Sequence, residues 1–177
     1  MTAKHLSTLR SLAALTGLVA ATLPASAAVP TAATIIPLPL NPVIPAVQRE
    51  CAVRSSSGVG TRPLKPGAAE KPAASDTVLV NYIGYLAADG TVFDQGMRAA
   101  FPVDGVIKGF AEGLQTMGRG AIARICVPAA LGYAEKATGP IPPNSDLVFQ
   151  VELVDFKTAA QVQAMRQDAE RAEPAPQ

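Results

Sequence analysis

The stretch that decides the fold is residues 78–94, which read VLVNYIGYLAADGTVFD. Val78, Val80 and Tyr82 recur at every second position, which is the period of a strand with one buried face. Asp89-Gly90 follows them and is a dipeptide that favours a tight hairpin turn. The stretch therefore predicts two antiparallel strands joined by a short turn.

A short helix is predicted on the C-terminal side of this hairpin. Its apolar residues recur at steps of three and four, so they share one stripe: Ile107, Phe110, Leu114 and Met117. Asp104 is the predicted N-cap of this helix, and Gly118 is its predicted C-terminal stop.

Two further strands complete the predicted domain. In residues 121–127 the charged Arg124 is expected to point outward, which places Cys126 outward and Ile125 and Val127 inward. In the last strand, Gln150 alternates with apolar neighbours between positions 147 and 153. Strands and one helix in this order predict a small α+β domain rather than a layered α/β enzyme.

This domain is expected to cover residues 58–157, which is enough chain for one modest core. Before it, residues 1–27 carry the marks of a secretory signal peptide: basic Lys4 and Arg10, a short apolar run, and the small-residue pattern Ala25-Ser26-Ala27. The mature chain is therefore expected to be exported to the periplasm, with secretion as the alternative, and to have no stable membrane insertion after cleavage.

Two polar or proline-rich segments flank the predicted domain. Residues 28–57 form an N-terminal extension. Between residues 34 and 45 proline is too dense for a helix or a central strand, so extended chain is predicted there. The extension is interpreted as a spacer, with a self-ligand of the protein's own pocket as the alternative. Residues 158–177 form a polar tail, either a frayed helix or irregular chain.

Charge and histidine content exclude several functions. Removing residues 1–27 takes away two of the 15 Lys and Arg residues and none of the 14 Asp and Glu residues, which leaves a net charge of about −1. Such a chain has no long-range attraction for nucleic acid. The single histidine, His5, leaves with the signal peptide, so the mature protein has no Ser-His-Asp triad and no histidine metal site.

Two cysteines, Cys51 and Cys126, enter an oxidising compartment if the chain is exported. One disulfide between them is predicted, and two separate thiols are the alternative that spacing leaves open.

Aromatic and aliphatic residues across the domain suggest one apolar pocket for a neutral substrate, with Asp94 as a charge near it. Each of these residues taken alone is more typical of core packing, and Asp94 alone of a turn. Only the order of these residues along the chain, taken together, favours a pocket over core packing.

Several motifs together resemble the FKBP-type peptidyl-prolyl cis-trans isomerases of the exported bacterial kind. The resemblance covers about residues 57–157 and rests on Val78-Leu79-Val80-Asn81-Tyr82, Asp89-Gly90-Thr91-Val92-Phe93-Asp94, Phe101-Pro102-Val103, Val106-Ile107-Lys108-Gly109-Phe110, Glu112-Gly113-Leu114, Leu131-Gly132-Tyr133, Ile141-Pro142-Pro143-Asn144 and the strand from Leu147 to Leu153.

The resemblance implies a five-stranded antiparallel half-barrel wrapped around a short α-helix, with a proline-binding pocket between helix and sheet. Family roles then make Tyr133 a hydroxyl donor to the substrate carbonyl and place Asp94 at the pocket edge. The implied pocket lining is Tyr82, Phe93, Phe101, Val106, Ile107, Phe110, Ile141 and Phe149. Phe110 stands where the family usually has tryptophan, so the aromatic face is kept and the indole N–H is lost.

The activity implied is isomerisation of X–Pro bonds in unfolded or folding polypeptides, with no metal or organic cofactor. Macrolide inhibitors are further candidate ligands. Two alternatives keep the fold without catalysis: a chaperone-like binding module of the cell envelope, and a structural envelope domain with a vestigial pocket.

Overall fold

The computed structural model describes residues 34–38 and 43–172. The predicted signal peptide lies outside these residues. Within them, no helix combines the length and the apolar character needed to cross a bilayer.

One antiparallel sheet of six strands organises the domain, and the α+β class predicted from the sequence is confirmed. In space the strands follow the order β1-β2-β5-β6-β3-β4, so the last strand of the chain lies near the middle of the sheet. Five strands are long, which is the number that the family resemblance implies, and the sixth has two residues. The strands are β1 Val53–Arg54, β2 Gly60–Lys65, β3 Thr77–Leu86, β4 Val92–Pro102, β5 Ile122–Val127 and β6 Leu147–Lys157.

The predicted hairpin joins β3 to β4. Its turn is closed by hydrogen bonds from the Leu86 N–H to the Thr91 carbonyl and from the Gly90 N–H to the Leu86 carbonyl, each 2.9 Å long. The Asp89 carboxylate accepts the Thr91 N–H at 2.8 Å. Gly90 has a φ of 80°, a conformation that glycine adopts without steric cost. Both residues of the Asp89-Gly90 dipeptide thus stabilise the turn, Asp89 by its side-chain hydrogen bond and Gly90 by its positive φ.

Helix α1, Lys108–Leu114, packs against β5 on the inner side of the sheet. A Cβ atom on Gly109 would lie 2.4 Å from the Val127 side chain, and one on Gly113 would lie 2.5 Å from Ile125. Glycine at these two positions therefore lets the helix approach the strand closely, although glycine lowers helix propensity.

Phe110, Leu114 and Met117 of the predicted apolar stripe are buried and Ile107 is half-buried, but both predicted ends of the helix are wrong. Asp104 lies in a separate 3-10 turn, Val103–Gly105, and extended Val106 separates it from the helix. Ile107 takes the N-cap position without a side-chain hydrogen bond, and the helix ends at Leu114, before Gly118. Gly118 instead packs against the backbone of Ala68, where a Cβ atom would have no room.

The outer face of the sheet is covered by a segment that we call the strap, residues 34–38 and 43–50. Two of its three isoleucines are buried, Ile36 at 4% and Ile44 at 2% exposure, and Ile35 is 41% exposed. The two buried isoleucines join one apolar cluster with three residues of the outer sheet face: Ile83, Tyr85 and Val148. The strap thus packs on the sheet instead of acting as a spacer, and on the face opposite to the inner core. Both interpretations of this segment from the sequence are wrong for the described residues.

Hydrogen bonds fix the second part of the strap, residues 43–50. The Ile44 N–H donates to the Gly90 carbonyl at 2.8 Å, so this part is tied to the hairpin turn. The Tyr85 hydroxyl donates to the Gln48 carbonyl at 2.7 Å, and Arg49 donates to the Ala87 carbonyl at 3.0 Å. We call residues 43–50 the anchored part of the strap.

The strap also changes the environment of Arg124. The prediction that this side chain points to solvent is wrong, because Arg124 is fully buried beneath the strap on the outer face. Its guanidinium donates to the Glu50 carbonyl at 3.1 Å, and burial lowers its pKa below the usual value of an arginine. Cys126 does lie on the same face, as predicted. The position of Arg124 in the strand therefore predicted the outer face correctly, but the solvent exposure of its side chain was predicted wrongly.

A disulfide joins Cys51 at the end of the strap to Cys126 on β5, with the two Cα atoms 6.1 Å apart. It links residues 75 positions apart in the sequence.

The C-terminal tail forms a second helix, α2, Ala159–Ala172, and residues 173–177 lie outside the described part. A capping box begins this helix. The Gln161 N–H donates to the Thr158 hydroxyl at 3.2 Å, and the Thr158 N–H donates to the Gln161 side chain at 2.9 Å. Of the two predicted alternatives for the tail, the helix is the one observed.

The first part of the strap, residues 34–38, is held by the buried Ile36 side chain, by two hydrogen bonds between Ile36 and Gln150, and by a hydrogen bond of 3.2 Å from the Gln48 side chain to the Thr34 carbonyl. Burying the isoleucine contributes roughly 1.5–3 kcal/mol, and each hydrogen bond contributes about 0.5–1.5 kcal/mol. Fixing the backbone costs about 1–2 kcal/mol per residue. One buried isoleucine and three hydrogen bonds thus contribute about 3–8 kcal/mol against a cost of about 5–10 kcal/mol for five residues. Because these terms are of similar size, we call residues 34–38 the exchangeable part of the strap.

We expect the disulfide to stabilise the oxidised protein by about 4 kcal/mol, because it closes a long loop and limits the unfolded chain. Urea unfolding with and without a reductant measures this difference. In the double variant Cys51→Ser/Cys126→Ser, the reductant should have no effect on stability. Two alkylatable thiols in protein isolated without a reductant would contradict the bridge.

Candidate functional site

Five aromatic side chains meet on the inner side of the sheet, above helix α1. The Phe110 and Phe149 rings are tilted with centroids 4.6 Å apart, and Phe93 meets Phe149 edge-on at 5.6 Å. Tyr82 lies 6.4 Å from Phe110 and 5.7 Å from Phe101. These separations are those of favourable aromatic pairs. Four elements, β3, β4, α1 and β6, supply the rings, so the fold creates the cluster.

Strand pairing explains why the rings meet at this point. Gly84 on β3 lies opposite Asp94 on β4 and opposite Phe149 on β6. A Cβ atom on Gly84 would lie 2.7 Å from the Phe93 ring and 2.9 Å from the Phe149 ring. The two rings therefore rest directly on the glycine. The predictions from the sequence do not include this role, although a glycine inside a strand pattern signals a close approach by another group.

The polar edge of the cluster consists of one hydrogen-bonded pair. The Tyr82 hydroxyl donates to the Asp94 carboxylate at 2.6 Å, and the other carboxylate oxygen accepts the Gln95 N–H at 2.9 Å. Burial, followed by the hydrogen bond to Asp94, raises the pKa of Tyr82 well above its usual value. The Tyr82 hydroxyl thus remains protonated at neutral pH, and the position of the exposed carboxylate is fixed.

The loop between β5 and β6 contributes two more of the predicted site residues to the inner core. Ile141 is buried at 5% exposure, and its turn is closed by reciprocal backbone hydrogen bonds with Thr138 of 2.9 and 3.0 Å. Tyr133 is half-buried and packs against the inner core. Ala134 beside it has a φ of 51°, where glycine is favoured, and its carbonyl accepts the Asn144 N–H at 2.7 Å.

The site residues predicted from the sequence belong to the inner core, pack against it, or, as Asp94, bond to one of its members. Tyr82, Phe110, Ile141 and Phe149 belong to the buried core, and Asp94 joins it through Tyr82. The remaining residues are partly buried and packed against it: Phe93, Phe101, Val106, Ile107 and Tyr133. Their individual roles stay predictions.

The arrangement is suited to binding a neutral, apolar group. Its walls are rings and aliphatic side chains, and its one carboxylate already accepts the Tyr82 hydroxyl. Within residues 34–38 and 43–172, the Tyr133 hydroxyl makes no hydrogen bond to protein and could donate to a bound carbonyl. The described residues also contain no group of three or more side chains that could bind a metal ion. A ligand here would be desolvated and would meet few charges.

Comparison with known proteins gives one consistent family. Residues 68–154 match the family described as FKBP-type peptidyl-prolyl cis-trans isomerase. The chain is 42% identical over 114 residues to the FKBP-type peptidyl-prolyl cis-trans isomerase FkpA of Escherichia coli K12, covering 62% of this chain and 42% of that protein. It is 42% identical over 97 residues to the peptidyl-prolyl cis-trans isomerase FPR2 of Saccharomyces cerevisiae, covering 51% of this chain and 72% of that protein.

A solved structure agrees with these matches. The crystal structure of a peptidyl-prolyl cis-trans isomerase from Pseudomonas syringae pv. tomato superposes with a TM-score of 0.55 at 35% identity, over 58% of this chain and 78% of that one. Against FkpA, however, the chain spans less than half of the relative's length.

We expect Gly84→Ala to destabilise the fold by about 1–3 kcal/mol, because the new methyl group would overlap the Phe93 and Phe149 rings. Urea unfolding measures the loss. The matched control is Gly105→Ala, where the nearest atom would lie 3.4 Å from the new Cβ, and its stability should stay within about 0.5 kcal/mol of the parent protein. Equal stabilities of the two variants would show that the rings move aside without cost.

Proposed function

Because the chain belongs to the FKBP-type peptidyl-prolyl cis-trans isomerase family, we propose that it catalyses cis-trans isomerisation of X–Pro bonds. The observation that carries the proposal is the aromatic cluster on the inner face of the sheet, with a tyrosine–carboxylate pair at its edge. Every site residue predicted from the sequence lies within the matched region, residues 68–154.

Such a site suits a reaction in which an amide bond rotates. The barrier to rotation is about 18–20 kcal/mol, because amide resonance is lost in the twisted state. The twisted amide has less charge separation than the planar one, so an apolar enclosure favours it over the ground state, and this difference in binding is catalysis. Uncatalysed isomerisation takes tens of seconds, so a turnover of about 10 per second needs a barrier lower by only roughly 3–4 kcal/mol.

Within this proposal the residues have distinct roles. The proline ring contacts Phe110, Phe149 and the neighbouring apolar walls, which exclude water from the amide. The Tyr133 hydroxyl donates a hydrogen bond to a substrate carbonyl. Tyr82 holds the Asp94 carboxylate at the edge, and Ile141 closes the site from the loop above it.

The substrates proposed are proline-containing segments of unfolded or folding polypeptides. We place the protein in the periplasm, because residues 1–27 have the pattern of a signal peptide and because Cys51 and Cys126 form a disulfide. Residues 58–157 form the proposed catalytic domain, and the strap is a supplement to it.

An assay of X–Pro isomerisation in a proline tetrapeptide, without a coupling protease, tests the function on the mature protein. Turnover that depends on the aromatic cluster supports the proposal. Peptide binding without turnover would instead favour the non-catalytic binding module, for which Phe110 in place of the family's usual tryptophan is the specific argument.

We expect Tyr133→Phe to lower kcat/KM by a factor equivalent to about 1–2 kcal/mol, because it removes one hydrogen bond to the substrate carbonyl. Stability should barely change, since the side chain is half-buried. Tyr85→Phe is the matched control, because it removes a hydroxyl on the outer face. Turnover unaffected by Tyr133→Phe would exclude this hydroxyl from the mechanism.

We expect Phe110→Trp to tighten the binding of macrolide ligands, because it adds an indole N–H and a larger ring at the floor of the cluster. Calorimetric titration of the parent protein and the variant measures the change in affinity. Phe93→Trp serves as the control, since it adds an indole at the half-buried rim. Equal or weaker binding by Phe110→Trp would mean that the neighbouring side chains have adapted to phenylalanine.

A further inference from the structure

A buried glutamine on the outer face of the sheet binds peptide backbone. Gln150, on β6, is only 5% exposed. Its side-chain oxygen accepts the Ile36 N–H at 2.8 Å, and its side-chain nitrogen donates to the Ile36 carbonyl at 2.8 Å. An extended residue presents its N–H and carbonyl on the same edge, so the glutamine amide pairs with it as a neighbouring strand would. This pairing would accept any extended residue except proline, which has no N–H.

The residue after Ile36 favours the conformation that Gln150 requires. Pro37 follows, and a residue before proline is confined to extended backbone. The Ile36 side chain is buried at 4% exposure in the cluster that contains Ile83 and Val148. We call Ile83, Val148 and Gln150 the outer groove. Its occupant is thus an aliphatic residue held by two backbone hydrogen bonds and followed by proline.

The outer groove continues beyond the segment that fills it. A cavity of ≈ 250 Å³ beside the disulfide is separate from it, but a second cavity of ≈ 180 Å³ adjoins Ile36 and Leu38 and extends to Asn81, Met97 and Ile122. Met97 is 63% exposed at this rim. Unfilled volume next to the occupied position provides room for larger or longer side chains than the strap supplies.

Residues 34–38 are the exchangeable part, whose docking terms are of similar size. Their departure would also break the 3.2 Å hydrogen bond from the Gln48 side chain, in the anchored part, to the Thr34 carbonyl. The anchored part is retained separately by the Cys51–Cys126 disulfide and by the bond from Ile44 to Gly90. Opening of the outer groove therefore leaves Ile44 in place over the sheet.

We propose that the outer groove is a second peptide-binding site, which takes extended aliphatic-proline segments of polypeptide substrates in competition with the chain's own residues 34–38. The source of the peptide rests on the proposed function, whereas the groove rests on the contacts of Gln150. It lies on the opposite face of the sheet from the aromatic cluster. A long substrate bound at both sites would gain affinity through effective concentration, and a tetrapeptide would not.

The experiment measures binding of a fluorescent copy of residues 34–38, acetyl-Thr-Ile-Ile-Pro-Leu-amide, by anisotropy on the full mature chain. Ile36→Asp undocks the exchangeable part, because it places a charge in the apolar cluster. We expect this variant to bind the probe at least about tenfold more tightly than the parent protein. The matched control is Ile35→Asp, since Ile35 is 41% exposed and its replacement should leave the groove occupied and the affinity near that of the parent.

Two changes test the backbone pairing directly. Adding Gln150→Leu to Ile36→Asp, or adding an N-methyl group to the third residue of the probe, should weaken binding about tenfold, because each removes hydrogen bonds to the amide. Equal binding by the parent and Ile36→Asp would overturn the proposal. So would retention of binding with Gln150→Leu or with the N-methylated probe, since either result would assign the probe to the aromatic cluster.

Amide exchange on the parent protein keeps the test valid if Ile36→Asp does not fold. The Ile36 N–H should exchange at least about a hundredfold faster than the Val148 N–H, because residues 34–38 open locally. Equal exchange rates would show that residues 34–38 do not open locally and would overturn the proposal.

Light scattering tests whether a second copy of the chain occupies the groove. A dimer of the parent protein that is lost in Ile36→Asp would assign the groove to that second copy and overturn the proposal. Tetrapeptide isomerisation, measured in parallel, reports on the proposed function alone.

Discussion

The structure depends on strands β3 and β6 being covered on both faces at the centre of the sheet. Helix α1 and the inner core cover one face, and the strap covers the other. All residues from Ile83 to Leu86 on β3 and from Leu147 to Val151 on β6 are buried as a result. A sheet with one solvated face would alternate apolar and polar residues along these stretches. In β3 and β6, successive side chains instead alternate between two apolar surfaces, the inner core on one face and the strap on the other.

Strand β3 shows how one short segment serves both surfaces. Tyr82 and Gly84 point to the aromatic cluster, where they contribute a hydroxyl and a platform for two rings. Ile83 and Tyr85 point to the strap, which they hold by burial and by a hydrogen bond. A shift of register by one residue would exchange the two sets, so the pairing is specified from both sides. The site and the strap are therefore built on the same register.

The parts of the fold that local pattern determines could be predicted, and those that depend on a distant cover could not. The Asp89-Gly90 turn and the buried helix face of Phe110 and Leu114 follow from neighbouring residues, and both are observed. The sequence predicts a solvent-exposed Arg124 because nothing near it in the sequence indicates that the strap covers it. The helix start was misplaced for a related reason: Asp104 has the chemistry of an N-cap, but Pro102 and extended Val106 place it in a separate turn. For the site, the family motifs identified the residues, whereas the geometry revealed Gly84 and the Tyr82–Asp94 bond.

The position of β6 within the sheet sets an order on the assembly of the molecule. This strand is the last of the chain, yet it lies between β5 and β3, so neither inner core nor outer cover is complete before it arrives. The strap is made at the opposite end and binds to Gln150 and Val148 of β6. During synthesis, residues 34–38 cannot make these contacts until residues 148–150 of β6 have been added. Contacts of such long sequence separation slow folding, and they leave isoleucines exposed in the interval. The protein thus passes through a period in which its own strap is an unprotected proline-containing segment.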